Sequence, residues 1–237
     1  EATVTNIVAR LRGMIRVQDS SALVAGSIDL SGVYLPEVAF DGFVWIDITG
    51  GEPGTTFPIG TMTRPVDNIG DAWTIASNFN LKGYSIRGNV VLDRAYDGWN
   101  IRGTGSPSDI LDLNGKDISN TVISNLYVIG TMAGSLARFV GCVMTDLTDA
   151  NCVIDSSVIG TGLVSTITLG GPGSILYLQN STISYPGAII DMVGAARVYL
   201  GDTSGNQIQF INAGAGSFVQ VAHDNGVIEL AASCVAG

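Results

Sequence analysis

From Asn80 to Gly237 the chain is a run of short segments rich in β-branched residues, separated by Gly, Asn, Asp and Ser. Each segment has about four or five residues, which is the length of an ordinary β-strand. Segments of this kind at close, fairly even spacing predict a sandwich, a barrel or a solenoid. The predicted strands are residues 84–88, 89–93, 99–103, 110–113, 121–124, 126–129, 137–140, 152–155, 157–160, 165–169, 175–178, 197–200, 207–211, 218–221 and 226–230.

Partial self-similarity favours the solenoid among these three folds. The tripeptide Ile-Arg-Gly at 86–88 recurs at 101–103, and the turns carry Asn-Gly, Asp-Gly and Gly-small-residue pairs that suit left-handed or tight corners. Two-residue hairpin turns are few, so an antiparallel meander fits less well. We therefore expect an all-β chain folded as a right-handed parallel β-helix with three short strands per coil. A sandwich or a jelly roll is the alternative.

Composition limits the classes of function. Hydrophobic residues make up 46% and charged residues 14% of the chain, against about a quarter charged in ordinary globular domains. Many solvent-facing positions must therefore be Ser, Thr, Asn, Gln or Gly, or must be buried against another copy, which is typical of stiff extracellular or virion fibres. The net charge of −10 and the absence of a basic cluster in the sequence argue against nucleic-acid binding.

The sequence predicts no metal, no cofactor and no membrane insertion. The three cysteines (Cys142, Cys152, Cys234) and the single His223 lack the spacing of a zinc site. Cys142 and Cys152 lie in apolar segments and are interpreted as buried thiols. The segment 202–206 lacks the later Glu of a calcium loop. No run of eighteen apolar residues and no export signal are seen, so the protein is expected to be soluble.

The N-terminal residues predict a segment that docks onto a partner. Residues 2–17 place apolar side chains at helical spacing, with three arginines on or near the other face. Such a helix suits an acidic partner or a bundle with its own copies, and packing on its own domain is equally consistent. We divide the chain into a docking segment (1–26), a β-rich lead-in with a capping helix (27–79) and the β-helix (80–237).

A second helix is predicted over 67–78. Asp67 suits the N-cap, Asp71 suits the first turn, and Ile69, Trp73 and Ala76 form an apolar stripe. The first coil of a solenoid exposes unpaired backbone and an apolar end. We therefore expect this helix to cover that end.

The lead-in resembles a family of tailed-phage virion proteins. The resemblance rests on Gly-Thr-Thr-Phe-Pro-Ile-Gly-Thr at 54–61, Arg-Pro-Val-Asp-Asn at 64–68 and Ala-Trp-Thr-Ile-Ala at 72–76, ahead of a glycine-rich β-rich region. It is tight over 43–78 and loose over the rest of 28–200. Trp73 departs from the family's aliphatic residue.

The resemblance implies a structural role on the exterior of a phage particle assembled in the host cytoplasm. It also implies a homotrimer that attaches to capsid, collar or tail proteins through its N-terminal part. It brings no known chemistry with it.

Two functions of other classes remain open: a tailspike that binds or cleaves host surface glycan, and a non-viral secreted adhesin. Glycan cleavage needs two carboxylates about 5 to 9 Å apart in a groove. Most acids here stand beside Gly, Asn or Ser, where Asp commonly caps turns, so we assign no catalytic residue and expect no enzyme. The candidate groups are Asp109, Asp112 and Asp117, then Asp146, Asp149 and Asp155, and more weakly Asp93 with Asp97, Asp191 with Asp202, and Asp224 with Glu229.

The late aromatic residues are interpreted as members of the stacked core: Tyr177, Tyr185, Tyr199, Phe210 and Phe218. At most about ten coils fit after residue 80. Apolar surface at 188–190 and at 231–232 is expected to be exposed on one chain and buried between copies.

Overall fold

A computed structural model describes residues 40–105 and 108–222, together with short strands within 16–34 and the backbone of residues 228–230. The chain divides into two compact units, residues 1–42 and residues 43–237. In the first unit, β1 (Arg16–Val17) pairs antiparallel with β4 (Val33–Tyr34), and β2 (Leu23–Val24) pairs with β3 (Ser27–Ile28). Residues 2–15 of the predicted N-terminal helix lie outside the described residues, and Arg16–Val17 form a strand rather than helix.

The second unit is a parallel β-solenoid, as predicted; it has about seven turns, and half of the chain is strand. It begins with β5 (Val44–Asp47) and α1 (Ile69–Phe79). The remaining strands are β6 (Gly83–Arg87), β7 (Asn89–Val91), β8 (Asn100–Gly103), β9 (Ile110–Asp112), β10 (Lys116–Asp117), β11 (Val122–Ser124), β12 (Tyr127–Ala133), β13 (Ala137–Val140), β14 (Val143–Ala150), β15 (Cys152–Asp155), β16 (Val158–Ile159), β17 (Ser165–Leu169), β18 (Ile175–Gln179), β19 (Thr182–Ile183), β20 (Ala188–Gly194), β21 (Arg197–Gly201), β22 (Ser204–Gly205), β23 (Ile208–Ala213), β24 (Phe218–Ala222) and β25 (Ile228–Leu230).

Each turn contributes three strand positions. The first position builds a nine-stranded parallel sheet in the order β5-β6-β8-β11-β13-β15-β18-β21-β24, which we call the front sheet. The other two positions form a twelve-stranded parallel sheet, and the long strands β12 and β14 supply both of them because their register shifts midway. The pairing within these two sheets is parallel, which favours the solenoid over the antiparallel sandwich or jelly roll.

The core is a set of side-chain columns that run from coil to coil. In the front sheet, strand register aligns residues that are all buried: Tyr84, Ile101, Ile123, Phe139, Ile154, Leu178 and Leu200. Alternate residues of a strand point to opposite faces. The residues on either side of each column residue along its strand therefore point away from the core. Each buried Leu or Ile side chain stabilises the fold by about 1.5 to 3 kcal/mol relative to exposure.

The corner after the front strands uses left-handed backbone in successive coils. Asn125, Ser156, Asn180 and Asp202 have φ between 47° and 54° there. Asn and Asp tolerate this conformation better than other residues with a side chain. The N–H of Asn180 donates to the carbonyl of Gly201 in the next coil at 2.9 Å, so the corner also pairs between coils. Among the turn pairs recognised in the sequence, Gly98, Asn114, Gly115, Gly171 and Gly216 have positive φ at other turns.

The open edge of the front sheet is covered by the segment that carries the family-like motif. The N–H of Trp45 donates to the Gly60 carbonyl at 2.8 Å, and the N–H of Val66 donates to the Trp45 carbonyl at 2.9 Å. The N–H of Asp47 then donates to the Val66 carbonyl at 2.9 Å. These bonds satisfy backbone groups that an edge strand would otherwise present to other chains. Thus β5, within the predicted lead-in, is the edge strand of the same sheet as the later coils.

The capping helix begins one residue later than predicted. Asn68, not Asp67, is the N-cap, and its side chain accepts from the Asp71 N–H at 2.8 Å. Both residue types cap helices well, so local preference did not separate them. Asp71 lies in the first turn, as predicted, and also accepts from the Gly54 N–H at 2.8 Å. The Asn68 amide donates to the Asp71 carboxylate at 2.9 Å, and this bond, with the one from Gly54, lowers the pKa of Asp71. The bond from Gly54 also ties the turn at that residue to the helix.

The helix packs on the first coil through an aromatic group. Its buried residues are Ala72, Ile75 and Ala76, whereas Ile69 and Trp73 of the predicted stripe are half-buried. The Trp73 ring stacks on Trp99, with centroids 5.4 Å apart, and meets Tyr96 edge-on at 5.8 Å. We call Trp73, Tyr84, Tyr96 and Trp99 the aromatic cap. The predicted covering role of the helix agrees with this packing. Within the described residues, no helix is long and apolar enough to cross a bilayer.

Candidate functional site

The first group of predicted carboxylates is held by backbone and hydroxyl donors. Asp109 is fully buried and accepts from the Gly88 N–H at 3.0 Å and from the Thr104 N–H and hydroxyl at 3.0 and 2.8 Å. Asp112 accepts from the Asn114 N–H at 2.9 Å, and Asp117 from the Ser119 N–H at 2.9 Å. The last two are the turn-capping bonds that the sequence predicted. Asp109 instead clamps two coils together.

The second group is divided between solvent and an ion pair. Asp146 is exposed and accepts from the Thr166 N–H of the next coil at 2.9 Å. Asp149 is exposed at a left-handed corner. Asp155 is buried, pairs with Arg138 and accepts from the Asn180 amide at 3.1 Å. These hydrogen bonds, with Arg138 the largest contributor, lower the pKa of Asp155.

Three of the weaker acids are likewise bound to non-acidic neighbours, and Asp202 stands at a left-handed corner. Asp93 pairs with Arg94 and accepts from the Tyr96 hydroxyl at 2.8 Å. Asp97 accepts from the Asn120 amide at 2.9 Å, and Asp191 from the Asn212 amide at 3.0 Å. The side chains of Asp224 and Glu229 lie outside the described residues.

At three of these acids the electrostatics do not suit the proton donor of glycan hydrolysis. Hydrogen bonds from Arg94, Ser119 and Arg138 lower the pKa of Asp93, Asp117 and Asp155. A general acid for glycan cleavage has its pKa raised so that it holds a proton near neutral pH. The arrangement suits carboxylates that fix turns and coils.

The cysteines behave as the sequence predicted where the structure describes them. Cys142 and Cys152 are buried, and burial raises the pKa of both thiols, that of Cys152 to about 12. Cys234 and His223 lie outside the described residues. In the described part of the chain, no three His, Cys, Asp or Glu side chains come together as a metal site.

The late aromatic residues are where the sequence interpretation was mostly wrong. Phe210 is fully buried in the core, as predicted. Tyr185 and Phe218 are exposed, and Tyr177 and Tyr199 are half-buried on the outward face of the front sheet. The alternation of β-strands places these two tyrosines outward because Leu176, Leu178, Val198 and Leu200 on either side of them are buried.

Strand register brings the two tyrosines together. Tyr177 of β18 pairs with Tyr199 of β21, and their rings stack with centroids 4.6 Å apart and planes 11° from parallel. Phe218 of the next coil approaches Tyr199 at 5.8 Å in a tilted arrangement. The sequence contains a signal for this tyrosine pairing, because the pentapeptides at 176–180 and 198–202 are similar: Leu-Tyr-Leu-Gln-Asn and Val-Tyr-Leu-Gly-Asp.

A cleft of about 260 Å³ lies beside these rings, and we call it the tyrosine cleft. Its polar and aromatic lining comes from three successive coils: Tyr177, Gln179, Asn180, Tyr199, Asp202 and Gln220. Gly201 and Ala222 also line it, in the column that continues from Gln179. The cleft offers ring edges on one side and amide and carboxylate groups on the other.

A smaller cleft of about 130 Å³ occurs at another corner and is mainly apolar. Val164, Pro186 and Ile189 line it with Gln207 and Gln209. Leu163 and Tyr185 in the neighbouring turns are each 75% exposed. The sequence placed exposed apolar surface at 188–190, which is wrong for Ala188 and Ile190 because both point into the core. Residues 231–232 lie outside the described residues.

Comparison with protein-family models, curated proteins and solved structures found no match to this chain.

Proposed function

We propose that the chain is a structural component of a tailed-phage particle. In this role it is a β-solenoid fibre, spike, or collar or head appendage on the virion exterior. The observation that carries the proposal is the position of the family-like segment. Gly60 and Val66 of that segment bond to the edge strand β5, so the motif and the solenoid form one unit. A rigid stack with a closed N-terminal edge suits a mechanical part.

The proposed state is a homotrimer attached to other virion proteins through its N-terminal residues. Apolar side chains exposed in the turns around the smaller cleft, Leu163, Val164 and Tyr185, offer surface that association would bury. Light scattering on the purified chain tests this state. A mass three times the 24.6 kDa of one chain is expected, and a well-folded monomer would contradict it.

Virion location is tested on particles of the phage that carries this coding sequence. The expected result is that an antibody against the chain labels gradient-purified particles at one position under negative stain. Chain found only in the unassembled lysate fraction would contradict the proposal. The labelled position also separates head, collar and tail.

A glycan-cleaving tailspike is the alternative, and the carboxylate contacts give it less support. Incubation with host surface polysaccharide, followed by size analysis of the product, decides between the two. Intact polysaccharide is expected. Shortened product that disappears in the Asp146→Asn or Asp149→Asn variant would establish the enzyme instead, and Asp109 and Asp112 would be substituted next.

A further inference from the structure

We infer that the tyrosine cleft binds a neutral oligosaccharide, lying along the stack of coils between the two tyrosines and the corner residues Asn180 and Asp202. The inference rests on the geometry of the cleft and does not depend on where the protein resides. It assigns binding and no bond cleavage.

The cleft exists because the side chains in one column of the front sheet become small. Strand register places Asp155, Gln179, Gly201 and Ala222 at equivalent positions in four successive coils. The first two carry long or charged side chains, and the next two carry almost none. A Cβ atom added at Gly201 would meet no atom within 4 Å. The space is therefore open at this coil because a side chain has been omitted, not because the backbone departs from the stack.

The walls combine apolar and hydrogen-bonding groups in the way that sugar recognition requires. Tyr177 and Tyr199 each cover one face of the other's ring, which leaves their ring edges and hydroxyl groups uncovered by the stack. Opposite them stand the Asn180 amide and the Asp202 carboxylate, and Gln179 and Gln220 stand on either side of the Tyr199 coil. Small-ligand sites likewise pair aromatic surface with a few placed polar groups. Sugars offer hydroxyls to the amides and to the tyrosine hydroxyls, and C–H surface to the uncovered parts of the rings.

Part of this lining is fixed before any ligand binds. The Asn180 amide donates to Asp155 at 3.1 Å, and Asp155 is held by Arg138. Asn180 and Asp202 both sit in the left-handed corner conformation, each with its N–H bonded to the following coil. Groups that are already ordered lose little conformational entropy on binding.

Charge disfavours an anionic ligand. The described residues that line the cleft include the Asp202 carboxylate and no Lys or Arg, and the whole chain carries a net charge of −10. Nucleic acids, sulfated glycans and uronic-acid polymers would be repelled, since binding of polyanions depends on neutralisation by Lys and Arg.

The spacing of the coils suits a repeating ligand. Neighbouring strands lie about 4.8 Å apart, which is close to the length of one pyranose unit in an extended glycan. Tyr177, Tyr199 and Gln220 occupy successive strands on one side, and Asn180 and Asp202 follow the same repeat on the other. Successive sugar units would thus lie at successive coils.

The test is a printed array of hexose and N-acetylhexosamine oligosaccharides of increasing length, with sulfated and uronic-acid glycans on the same slide. The intact wild-type chain is expected to bind neutral oligosaccharides. Isothermal titration of the best neutral binder then compares wild type with Gly201→Gln, which fills the cleft, and Tyr199→Ala, which removes one wall. Each variant is expected to weaken binding at least about tenfold.

Two controls separate loss of the site from loss of the fold. Tyr127→Ala removes a half-buried tyrosine on a different strand and is expected to bind as wild type does. Circular dichroism melting is expected to show Gly201→Gln folded, because Gly201 lies in a strand with open space around it and lacks a positive φ.

Four results would overturn the inference. They are no neutral binder at millimolar concentration, binding that Gly201→Gln leaves unchanged, an equal loss in Tyr127→Ala, and a preference for the anionic glycans. Failure here would leave the proposed particle role standing, because antibody labelling of virions does not involve the cleft. Failure of that labelling would likewise leave the sugar binding intact.

Discussion

The aromatic cap and the stacked tyrosines use the same residue types for opposite purposes. In the cap, Tyr84, Tyr96 and Trp99 are buried within the first coils, and Trp73 stacks on Trp99 from the helix. Tyr177 and Tyr199 stack on each other outside the core, beside an open cleft. The role of an aromatic residue in this solenoid is therefore set by the column it occupies.

The strand positions in the front sheet explain why the first aromatic group is buried and the second points outward. Tyr84 pairs with Ile101 in the inward column, and burial raises its pKa and that of Tyr96 above the ordinary tyrosine value. Tyr177 lies between two inward leucines and must point outward. Stability should depend strongly on the first group and weakly on the second. The following four experiments test that difference.

The largest effect is expected at Trp99. Replacement of this side chain, which is 7% exposed, with alanine should lower the free energy of unfolding by about 3 to 5 kcal/mol, because a cavity opens among three aromatic neighbours. Urea unfolding followed by circular dichroism measures the loss. Tyr127→Ala serves as the control, and a Trp99→Ala cost below about 1 kcal/mol would contradict a stabilising cap.

Trp73→Ala should cost about 2 kcal/mol, since the side chain is half-buried and contributes ring contacts from the helix side. Hydrogen exchange is expected to accelerate in α1 and β5 and to stay unchanged in β18 and β21. Thr74→Ala, on the exposed face of the same helix, is the matched control. Acceleration spread evenly over all coils would argue that the helix is not a local cap.

Tyr199→Ala should lower the free energy of unfolding by only about 1 kcal/mol or less, the range of cross-strand pairs on a solvent-facing sheet. The same urea titration measures it beside Trp99→Ala. If the two losses are equal, the stacked tyrosines are part of the core after all, and the division between the two aromatic groups fails.

The smallest effect is expected at Asp93, which pairs with Arg94 and accepts from the hydroxyl of Tyr96 in the aromatic cap. Its folded pKa lies below the unfolded value near 3.9. Its stabilisation is therefore present above that value and is lost as pH falls through the folded pKa. With the side chain 34% exposed, Asp93→Asn should cost about 0.5 kcal/mol at neutral pH.

This pH dependence is measured by tryptophan fluorescence during unfolding, because the chain's tryptophans are Trp45, Trp73 and Trp99, near the capped end. The gap between wild type and Asp93→Asn is expected to close as the solution is acidified. A gap that widens toward acid pH would have the wrong sign for a carboxylate stabilised in its charged form.

Local pattern was sufficient to predict most of the coils. The predicted strands 137–140, 152–155 and 165–169 agree with β13, β15 and β17 at both ends. Within the solenoid, the unpredicted strands were the very short ones, Lys116–Asp117, Thr182–Ile183 and Ser204–Gly205, and the polar or Gly-containing ones, Val143–Ala150 and Ala188–Gly194. Such segments form strands because neighbouring coils offer them partners, which propensity alone does not show.

The candidate site could not be predicted in the same way. The acids at 109–117 and 146–155 are close in sequence, yet they fall on different strands and corners and bind their own neighbours. The cleft instead joins residues of β18, β21 and β24, and it depends on a missing side chain at Gly201. The two tyrosine pentapeptides differ by Gln179 and Gly201 in the sequence, but this difference indicates a cleft only when the register of the coils is known.

The sequence by itself determined the class of fold, the buried cysteines and which residues of a strand lie on one face. These follow from strand alternation and from corner residues that accept left-handed backbone, and both are local properties. Only the tertiary structure decided which residues of neighbouring coils align, and therefore that Tyr177 meets Tyr199. It also decided that β5, which precedes the helix in the chain, pairs with β6, which follows it. Register depends on how many residues each turn holds, and loop length costs little free energy. A shift of one residue would reverse every face, so the column of each residue emerges only when the coils are stacked.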